Sequence, residues 1–306
     1  MTPFRNMEYS DDSDFYGDEN EQALLHRRVD QADLSSWWRL HTKVSSPIKQ
    51  HHTARPLATM SHFHNPYAGV PYAWQLTETV IDFLHRLPPS TTEGFPWIYI
   101  CNPYVDRRPR VPTSCGANVV GCEDEGPQDN GADVATLMQG GMERLHMISE
   151  FIDYLRRIDR PPELKMQELR KASSDASEDI LTLAQHLRVT CGKWMLFCPV
   201  AEVDAVWELI AKATANNELG IAAKVAPKSS TDSRAERLIC VYTADFSNKQ
   251  DIKRVAVNLQ RLGLISPTGR PVYYKPDAYT YLGISSQNPW NIRASIYNST
   301  TVLREW

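Results

Sequence analysis

The sequence lacks long hydrophobic runs, a cysteine framework and an apolar leader. No window has the roughly 20 consecutive apolar residues that a membrane-spanning helix needs, and the N-terminus has no apolar signal region. Six cysteines in 306 residues are too few for a disulfide scaffold. We therefore expect an intracellular protein, cytoplasmic or nuclear, that does not contact a membrane.

The motifs of several common enzyme classes are also missing. The chain has no nucleophile elbow, phosphate-binding P-loop or glycine-rich dinucleotide fingerprint. His51, His52, His62 and His64 lie close together, but no cysteine is near them and their spacing matches no familiar zinc pattern. We therefore predict no metal site, no cofactor and no catalytic residue, which favours a binding protein over an enzyme.

Charge is unevenly distributed along a chain whose net charge is −4. Residues 1–21 contain seven acidic residues and one basic residue, Arg5. From Cys191 to the end, fourteen lysines and arginines stand against ten aspartates and glutamates. This asymmetry indicates an acidic tail in front of a mildly basic module.

Composition and periodicity divide the chain into two parts. Residues 1–71 are predicted to be an acidic tail and connecting arm, partly disordered because they have few apolar groups to bury. Trp37 and Trp38 in that arm are either packing anchors or a contact for a protein partner. Residues 72–306 are predicted to be the folded domain, with an insertion loop at about 104–134 that exposes Cys115 and Cys122.

Within the folded part, two apolar periods alternate. A helical period predicts helices in segments 74–87, 141–158, 163–190 and 202–214. It also predicts a helix that begins at a capping box of Ser247 and Gln250 and ends at Gly263. Short apolar runs predict strands in segments 96–103, 192–199, 219–226 and 236–243. Segment 271–284 carries Pro276 in its middle, which predicts two short strands or a broken edge strand. The order indicates an α+β fold.

Several of these runs resemble known families. GKWMLF, VDAVWELI, LGIAAKVAPK and RLICVYTADF resemble the corresponding segments of the cap-binding translation initiation factors of the 4E type. FLHRLPPSTT, PWIYICNP, GKWM, YYKPDAYTYLGI and NPW resemble the basophilic-leukaemia-expressed protein family more closely, over roughly residues 72–300. The resemblance implies a curved, mainly antiparallel sheet with helices on one face, and it brings no settled activity.

The cap-binding residues of the 4E-type factors are only partly matched. Their two stacking tryptophans lie between the first strand and the Gly-Arg-Trp strand, whereas here the interval from Ile98 to Lys193 contains no tryptophan. Lys228 matches a basic position that holds phosphate, but Ala226 stands where an arginine is expected, and Lys224 is the nearest substitute. The resemblance thus predicts binding without the usual tryptophan sandwich.

The C-terminal segment carries the densest set of aromatic and cationic residues. Tyr279 and Tyr281 share one face if that segment is a strand, and Lys275 and Arg293 lie close by in the sequence. Such a face stacks on bases and pairs with phosphates, although tyrosine is also an ordinary strand former. The predicted ligand-binding residues are Lys193, Lys224, Lys228, Arg270, Tyr274, Lys275, Tyr279, Tyr281, Trp290 and Arg293.

Three functions follow from these residues. The first is binding of RNA or a phosphorylated nucleotide. The second is an enzyme acting on a phosphorylated substrate, with Lys275 or Lys193 as base or anion clamp. The third is a protein-interaction adaptor that recruits a partner through Trp37 and Trp38. For Lys193 and Lys224, which lie inside apolar strands, we expect solvated amino groups rather than groups that point into a cavity.

Overall fold

Six short apolar segments form one sheet in the computed structural model, which describes residues 63–107, 125–228 and 235–305. The strands are β1 Ile98–Cys101, β2 Gly192–Pro199, β3 Ala222–Val225, β4 Glu236–Thr243, β5 Tyr273–Pro276 and β6 Tyr297–Asn298. Their order across the sheet is β1-β3-β4-β2-β5-β6, and every neighbouring pair is antiparallel. The sheet is not closed, and with its helices it confirms the predicted α+β class.

Seven helices accompany the sheet in the described residues. They are α1 Val80–Arg86, α2 Val134–Arg157, α3 Pro162–His186, α4 Val203–Ala215, α5 Lys249–Arg261, α6 Asp277–Tyr281 and α7 Ser299–Glu305. The helices predicted from the apolar period are confirmed, although α2 begins seven residues before the predicted segment. None of the described helices is long and apolar enough to cross a bilayer.

Side-chain caps set where several helices begin. The Asp133 carboxylate accepts a hydrogen bond from the Thr136 amide and so starts α2 early. The predicted cap of α5 at Ser247 is wrong: the Asn248 side chain accepts from the Asp251 amide, one residue further on. The predicted end of that helix is confirmed, because Gly263 has a φ of +74°, which favours glycine.

The C-terminal segment departs from the expected second strand. Residues 273–276 form β5, and Pro276 then ends the ladder because it has no amide hydrogen to donate. Residues 277–281 turn at once into α6, so Tyr279 and Tyr281 do not share the face of a strand. β5 is also not an edge strand, since β6 pairs with its other side.

The two faces of the sheet have different partners. On one face Trp194 is fully buried, and its indole N–H donates to the Ile252 carbonyl of α5 at 3.3 Å. Helix α4 also contacts β1, β2, β3 and β4. The prediction that β2 is covered on both faces holds only near its start, because on the other face Lys193 is buried whereas Phe197 is 50% exposed.

A second, smaller core lies where the α2–α3 hairpin meets α6. Tyr279 from α6 is fully buried there, and the residues that it packs with come from both helices and from the segment after α6. They are Leu145, Ile148, Ala176, Ile180, Leu282, Ile284 and Ile292. This core fixes the C-terminal segment against the hairpin.

Part of the sequence analysis falls outside the described residues. The acidic tail, Trp37 and Trp38, three of the four clustered histidines, and Cys115 and Cys122 all lie there. Cys198 and Cys240 are described, and their predicted burial inside strands is confirmed.

Candidate functional site

Strand register places three lysines on the same face of the sheet. Lys193 in β2 lies opposite Lys275 in β5 and opposite Tyr242 in β4. Lys224 in β3 lies opposite Cys240, two residues before Tyr242. Because alternate residues of a strand point to the same face, the three amino groups share one side of the sheet. We call Lys193, Lys224 and Lys275 the lysine cluster.

Two of these lysines are buried, which contradicts the expectation that they are solvated. Lys193 is 4% exposed and Lys224 is 2% exposed. Both amino groups contact the Glu125 carboxylate. That of Lys193 lies against Oε2 of Glu125, and that of Lys224 lies 3.5 Å from Oε1 of Glu125. A buried ammonium group needs such a partner because burial removes its hydration. Glu125 is itself 8% exposed, so the pairing takes place inside the protein.

A second carboxylate approaches the cluster from α6. Asp277 is fully buried, and its Oδ1 lies 3.2 Å from the Lys193 amino group. Lys193 also donates to the Thr280 hydroxyl at 3.1 Å, and the Tyr242 hydroxyl donates to Glu125 at 3.3 Å. Two carboxylates of the described residues, Glu125 and Asp277, thus lie beside the lysine cluster.

Two members of the lysine cluster, Lys193 and Lys275, have a lowered pKa, mainly because they are buried. Burial is the main cause that lowers the pKa of Lys193; Lys224 lowers it further, and Asp277 opposes the shift. Burial and the neighbouring charge of Lys193 lower the pKa of Lys275 to about 8. No carboxylate of the described residues lies within 4.0 Å of the Lys275 amino group. Lys275 therefore releases its proton at a lower pH than an ordinary lysine does.

Residues 125–128 cover the cluster. Gly126 lies against the ring of Tyr242 so closely that a Cβ atom there would overlap it. Gln128 donates to the Asp277 carboxylate at 3.2 Å and to the Tyr281 hydroxyl at 3.0 Å. These contacts fix the segment that carries Glu125 beside the lysine cluster.

Aromatic rings continue the same face towards the far end of β2. The Lys224 amino group lies 4.0 Å from the centroid of the Trp97 ring, within the range of a cation–π contact. Phe197, which is 50% exposed, follows Lys193 by four residues and so points to the same side. The Trp97 and Phe197 rings both line a cavity of about 570 Å³. Its other lining residues are Ala226, Ala235, Glu236, Arg237 and Leu238.

The other cations predicted for the site lie away from the lysine cluster. Lys228 is exposed and pairs with Glu93 at 2.7 Å. Arg270 pairs with Glu236 at 3.1 Å, and its guanidinium lies 5.9 Å from the Phe197 ring, beside the aromatic cavity. Arg293 is exposed and lines a different cavity, against α3.

The predicted aromatic residues are not an exposed platform. Tyr274 is fully buried on the opposite face from the lysines, and its hydroxyl shares a hydrogen bond with Thr243 at 2.6 Å. Tyr279 is buried in the second core, and Tyr281 is buried beside Gln128. Trp290 donates its indole N–H to the Ser149 hydroxyl at 2.9 Å.

Sequence analysis missed the residues that complete the site. Trp97 lies one residue before Ile98, where the interval without tryptophan begins. Phe197 looks like an ordinary strand residue. Glu125 lies in a loop without periodicity, so no pattern marks it. The one available signal is that lysines inside apolar strands need carboxylate partners from elsewhere in the chain.

Among the described residues, no group of three or more histidine, cysteine, aspartate or glutamate side chains is arranged to hold a metal ion. His64 is the one clustered histidine that is described, and its Nδ1 lies 3.3 Å from Asp106. The buried thiols are also unreactive, since burial raises the pKa of Cys101 to about 12 and that of Cys198 to about 11.

The chain matches the model of a known protein family. The family model described as basophilic leukemia-expressed protein Bles03 matches residues 25–283, which is well over half of the sequence. The match includes the lysine cluster, Glu125, Asp277 and Trp97.

Proposed function

This chain belongs to the Bles03 family, and from the geometry of its sheet we propose that it binds RNA or a phosphorylated nucleotide through the lysine cluster. The observation that carries this proposal is the position of Lys275, which lies opposite Lys193 across β2 and β5 and has no carboxylate of the described residues within 4.0 Å. A phosphate supplies a negative charge beside Lys275 and accepts charge-assisted hydrogen bonds. Lys275 is therefore the first cation that such a ligand meets.

The aromatic cavity supports a ligand that carries a base as well as a phosphate. Trp97 and Phe197 offer ring faces on which a base stacks without sequence preference. Phe197 lies four positions after Lys193 in β2, a distance of about 13 Å at the usual rise of a strand. A ligand that reaches both ends is therefore elongated, which favours RNA or a nucleotide over inorganic phosphate.

We further propose that the fold is a variant of the 4E type without its tryptophan sandwich. The open antiparallel sheet with accompanying helices supports this assignment. In the variant, Trp97 and Phe197 take the place of the stacked indoles, and the lysine cluster takes the place of the phosphate-binding cations.

The proposal is tested by binding of a fluorescent single-stranded RNA and of nucleotides to the whole chain. Lys275→Ala is expected to weaken binding by about tenfold and to lower the slope of log K against log salt by about one. The matched control is Lys212→Ala, whose amino group pairs with Glu208 on the surface of α4. Equal affinity of Lys275→Ala and the unchanged chain, or no binding by the unchanged chain, overturns the proposal.

A second function, an enzyme acting on a phosphorylated substrate, is favoured by one observation. The pKa of Lys275 is lowered to about 8, so its neutral amine is available near physiological pH as a base. A panel of phosphoesters incubated with the chain at pH 8 to 9 tests this function. Turnover that disappears in Lys275→Met supports it, and the absence of turnover with every ester rejects it.

A further inference from the structure

A second cavity lies between α3 and the segment 291–293, away from the lysine cluster. Its volume is about 560 Å³, which is within the range of small-molecule sites. The lining residues are Arg170, Ser173, Ser174, Ser177, Asn291, Ile292 and Arg293. All of them lie in the described part of the chain, and none carries a carboxylate.

Helical spacing aligns the α3 side of this cavity. Arg170, Ser173, Ser174 and Ser177 stand at positions i, i+3, i+4 and i+7, which lie on one face of a helix. Arg293 faces them from the other wall. Neither arginine has a carboxylate within 4.0 Å among the described residues. By contrast, Arg160, which lies just before α3, pairs with Glu168 at 2.6 Å.

The walls are held in place by buried hydrogen bonds. Ser173 is 4% exposed, and its hydroxyl lies 2.7 Å from the Trp290 carbonyl and 2.8 Å from the Leu169 carbonyl, so it links the residue before segment 291–293 to α3. Asn288 donates to the Ile292 carbonyl at 2.6 Å and braces the same segment from its other side. The two arginines are therefore carried on backbones whose relative position is set before any ligand arrives.

A buried tyrosine orients one of the serine hydroxyls. The hydroxyls of Tyr279 and Ser177 are 2.5 Å apart, and Tyr279 is fully buried. A phenol is more acidic than an alcohol, so Tyr279 is the better donor of the two. When Tyr279 donates to Ser177, the hydrogen of Ser177 is left to donate to a ligand in the cavity. Ser174 is exposed and has its hydroxyl free for the same purpose.

We propose that this cavity binds a phosphate monoester, with Arg170 and Arg293 as a two-sided clamp and Ser174 and Ser177 as hydroxyl donors. Arginine pairs with phosphate through parallel N–H···O bonds, and a monoester near neutral pH carries almost two charges to match two guanidinium groups. No aromatic ring is among the lining residues, so the cavity recognises the phosphoryl group and not a base. This inference does not rest on the lysine cluster, because none of its residues lines this cavity.

The test is a calorimetric titration of the whole chain with phenyl phosphate and with O-phosphoserine. Saturable binding is expected, and Arg170→Ala and Arg293→Ala are each expected to weaken it by about tenfold or more. The matched control is Arg156→Ala on the neighbouring helix α2, an arginine that is 73% exposed and pairs with Asp153. Lys275→Ala serves as a second control, since it disables the other proposed site and is expected to leave this binding unchanged.

Two further measurements separate a monoester site from a general attraction of anions. The second ionisation of a monoester has a pKa of about 6, so affinity is expected to rise between pH 5.5 and 7.5. Dimethyl phosphate, which keeps one charge at every pH in this range, is expected to bind at least about tenfold more weakly. Ser177→Ala is expected to reduce affinity while leaving the fold intact. Binding that the two arginine substitutions do not change, or equal affinity for the diester, overturns the proposal.

Discussion

Lys193 and Lys275 lie directly opposite each other in the antiparallel pair of β2 and β5, so two cations share one position across the sheet. Like charges in this arrangement destabilise a sheet, because their side chains stand close together on the same face. Asp277 offsets part of this cost, since its carboxylate lies 3.2 Å from the Lys193 amino group. The cost that remains for Lys275 is seen in its pKa, which is lowered to about 8. In the proposed function, an anion pairs with this amino group.

Replacing Lys275 by methionine is expected to stabilise the fold at pH 7 by about 1–2 kcal/mol, after allowance for its partial exposure. The folded chain holds the pKa of Lys275 near 8, below the value in the unfolded chain. Between those two values the unfolded chain binds more protons, so the stability of the natural chain rises with pH in that window. The advantage of Lys275→Met is thus expected to shrink from pH 8 to pH 10.

Urea denaturation at pH 7, 8, 9 and 10 measures this difference. The control is Lys171→Met, which removes an exposed lysine on α3. If the free energies of unfolding of Lys275→Met and the natural chain differed by the same amount at every pH in this range, the assigned burial of the Lys275 amino group would be contradicted.

Glu125→Gln is expected to lower stability by about 2–3 kcal/mol and to strengthen binding of anions severalfold. The substitution removes a charge that two buried lysines contact, but it keeps the size of the side chain. The lysine cluster then carries more uncompensated charge, which an added phosphate neutralises. Denaturation and RNA binding are measured on the same samples.

The control for that change is Glu93→Gln, which removes an exposed carboxylate paired with Lys228. Its effect on stability is expected to be about 0.5 kcal/mol or less, as for most surface pairs. If Glu125→Gln lost stability without any gain in anion affinity, Glu125 would be a structural partner of the lysines alone.

Gly126→Ala is expected to destabilise the fold by about 1–3 kcal/mol, in the range of other overpacking substitutions. A Cβ atom at this position overlaps the ring of Tyr242, which is fully buried and has little room to move. Gly269→Ala is the control, because the nearest atom to a new Cβ there is the Ser266 Cβ at 3.3 Å. Thermal unfolding of both variants makes the comparison, and equal melting temperatures would mean that residues 125–128 do not cover the cluster tightly.

Trp97→Leu is expected to weaken binding of RNA and nucleotides by about tenfold while leaving binding of inorganic phosphate nearly unchanged. In the proposed site the indole, which lies beside Lys224, stacks on the base, whereas the lysines contact the phosphate. Tyr104→Leu, which removes a ring that is 54% exposed elsewhere, is the control. A parallel loss of affinity for inorganic phosphate would show that Trp97 acts by positioning Lys224 and not by stacking.

The strands and helices of this chain could be predicted from the sequence because burial imposes a period on apolar residues. Segment 192–199 is apolar on both of its faces, and it forms the central strand β2. The prediction was wrong at Tyr279 and Tyr281, where tyrosine and threonine favour a strand. Pro276 overrides that local preference, since it ends the ladder and fits the start of a helix.

The candidate site could be predicted only in part. Lys193, Lys224 and Lys275 were selected as candidates, but their pairing across the sheet depends on register, which apolar periodicity alone does not give. Glu125 and Asp277 come from a loop and a short helix, and nothing near them in the sequence indicates a buried carboxylate. Their role follows from the tertiary fold, where a charge without water needs an opposite charge.

The buried ion cluster joins four stretches of chain that are widely separated in sequence: Glu125 from the loop before α2, Lys193 from β2, Lys224 from β3, and Asp277 from α6. No fragment shorter than residues 125–277 contains all four. Dissection of this protein into smaller modules is thus expected to abolish its recognition of anions at the sheet, and expression trials for ligand screening should begin from the intact polypeptide.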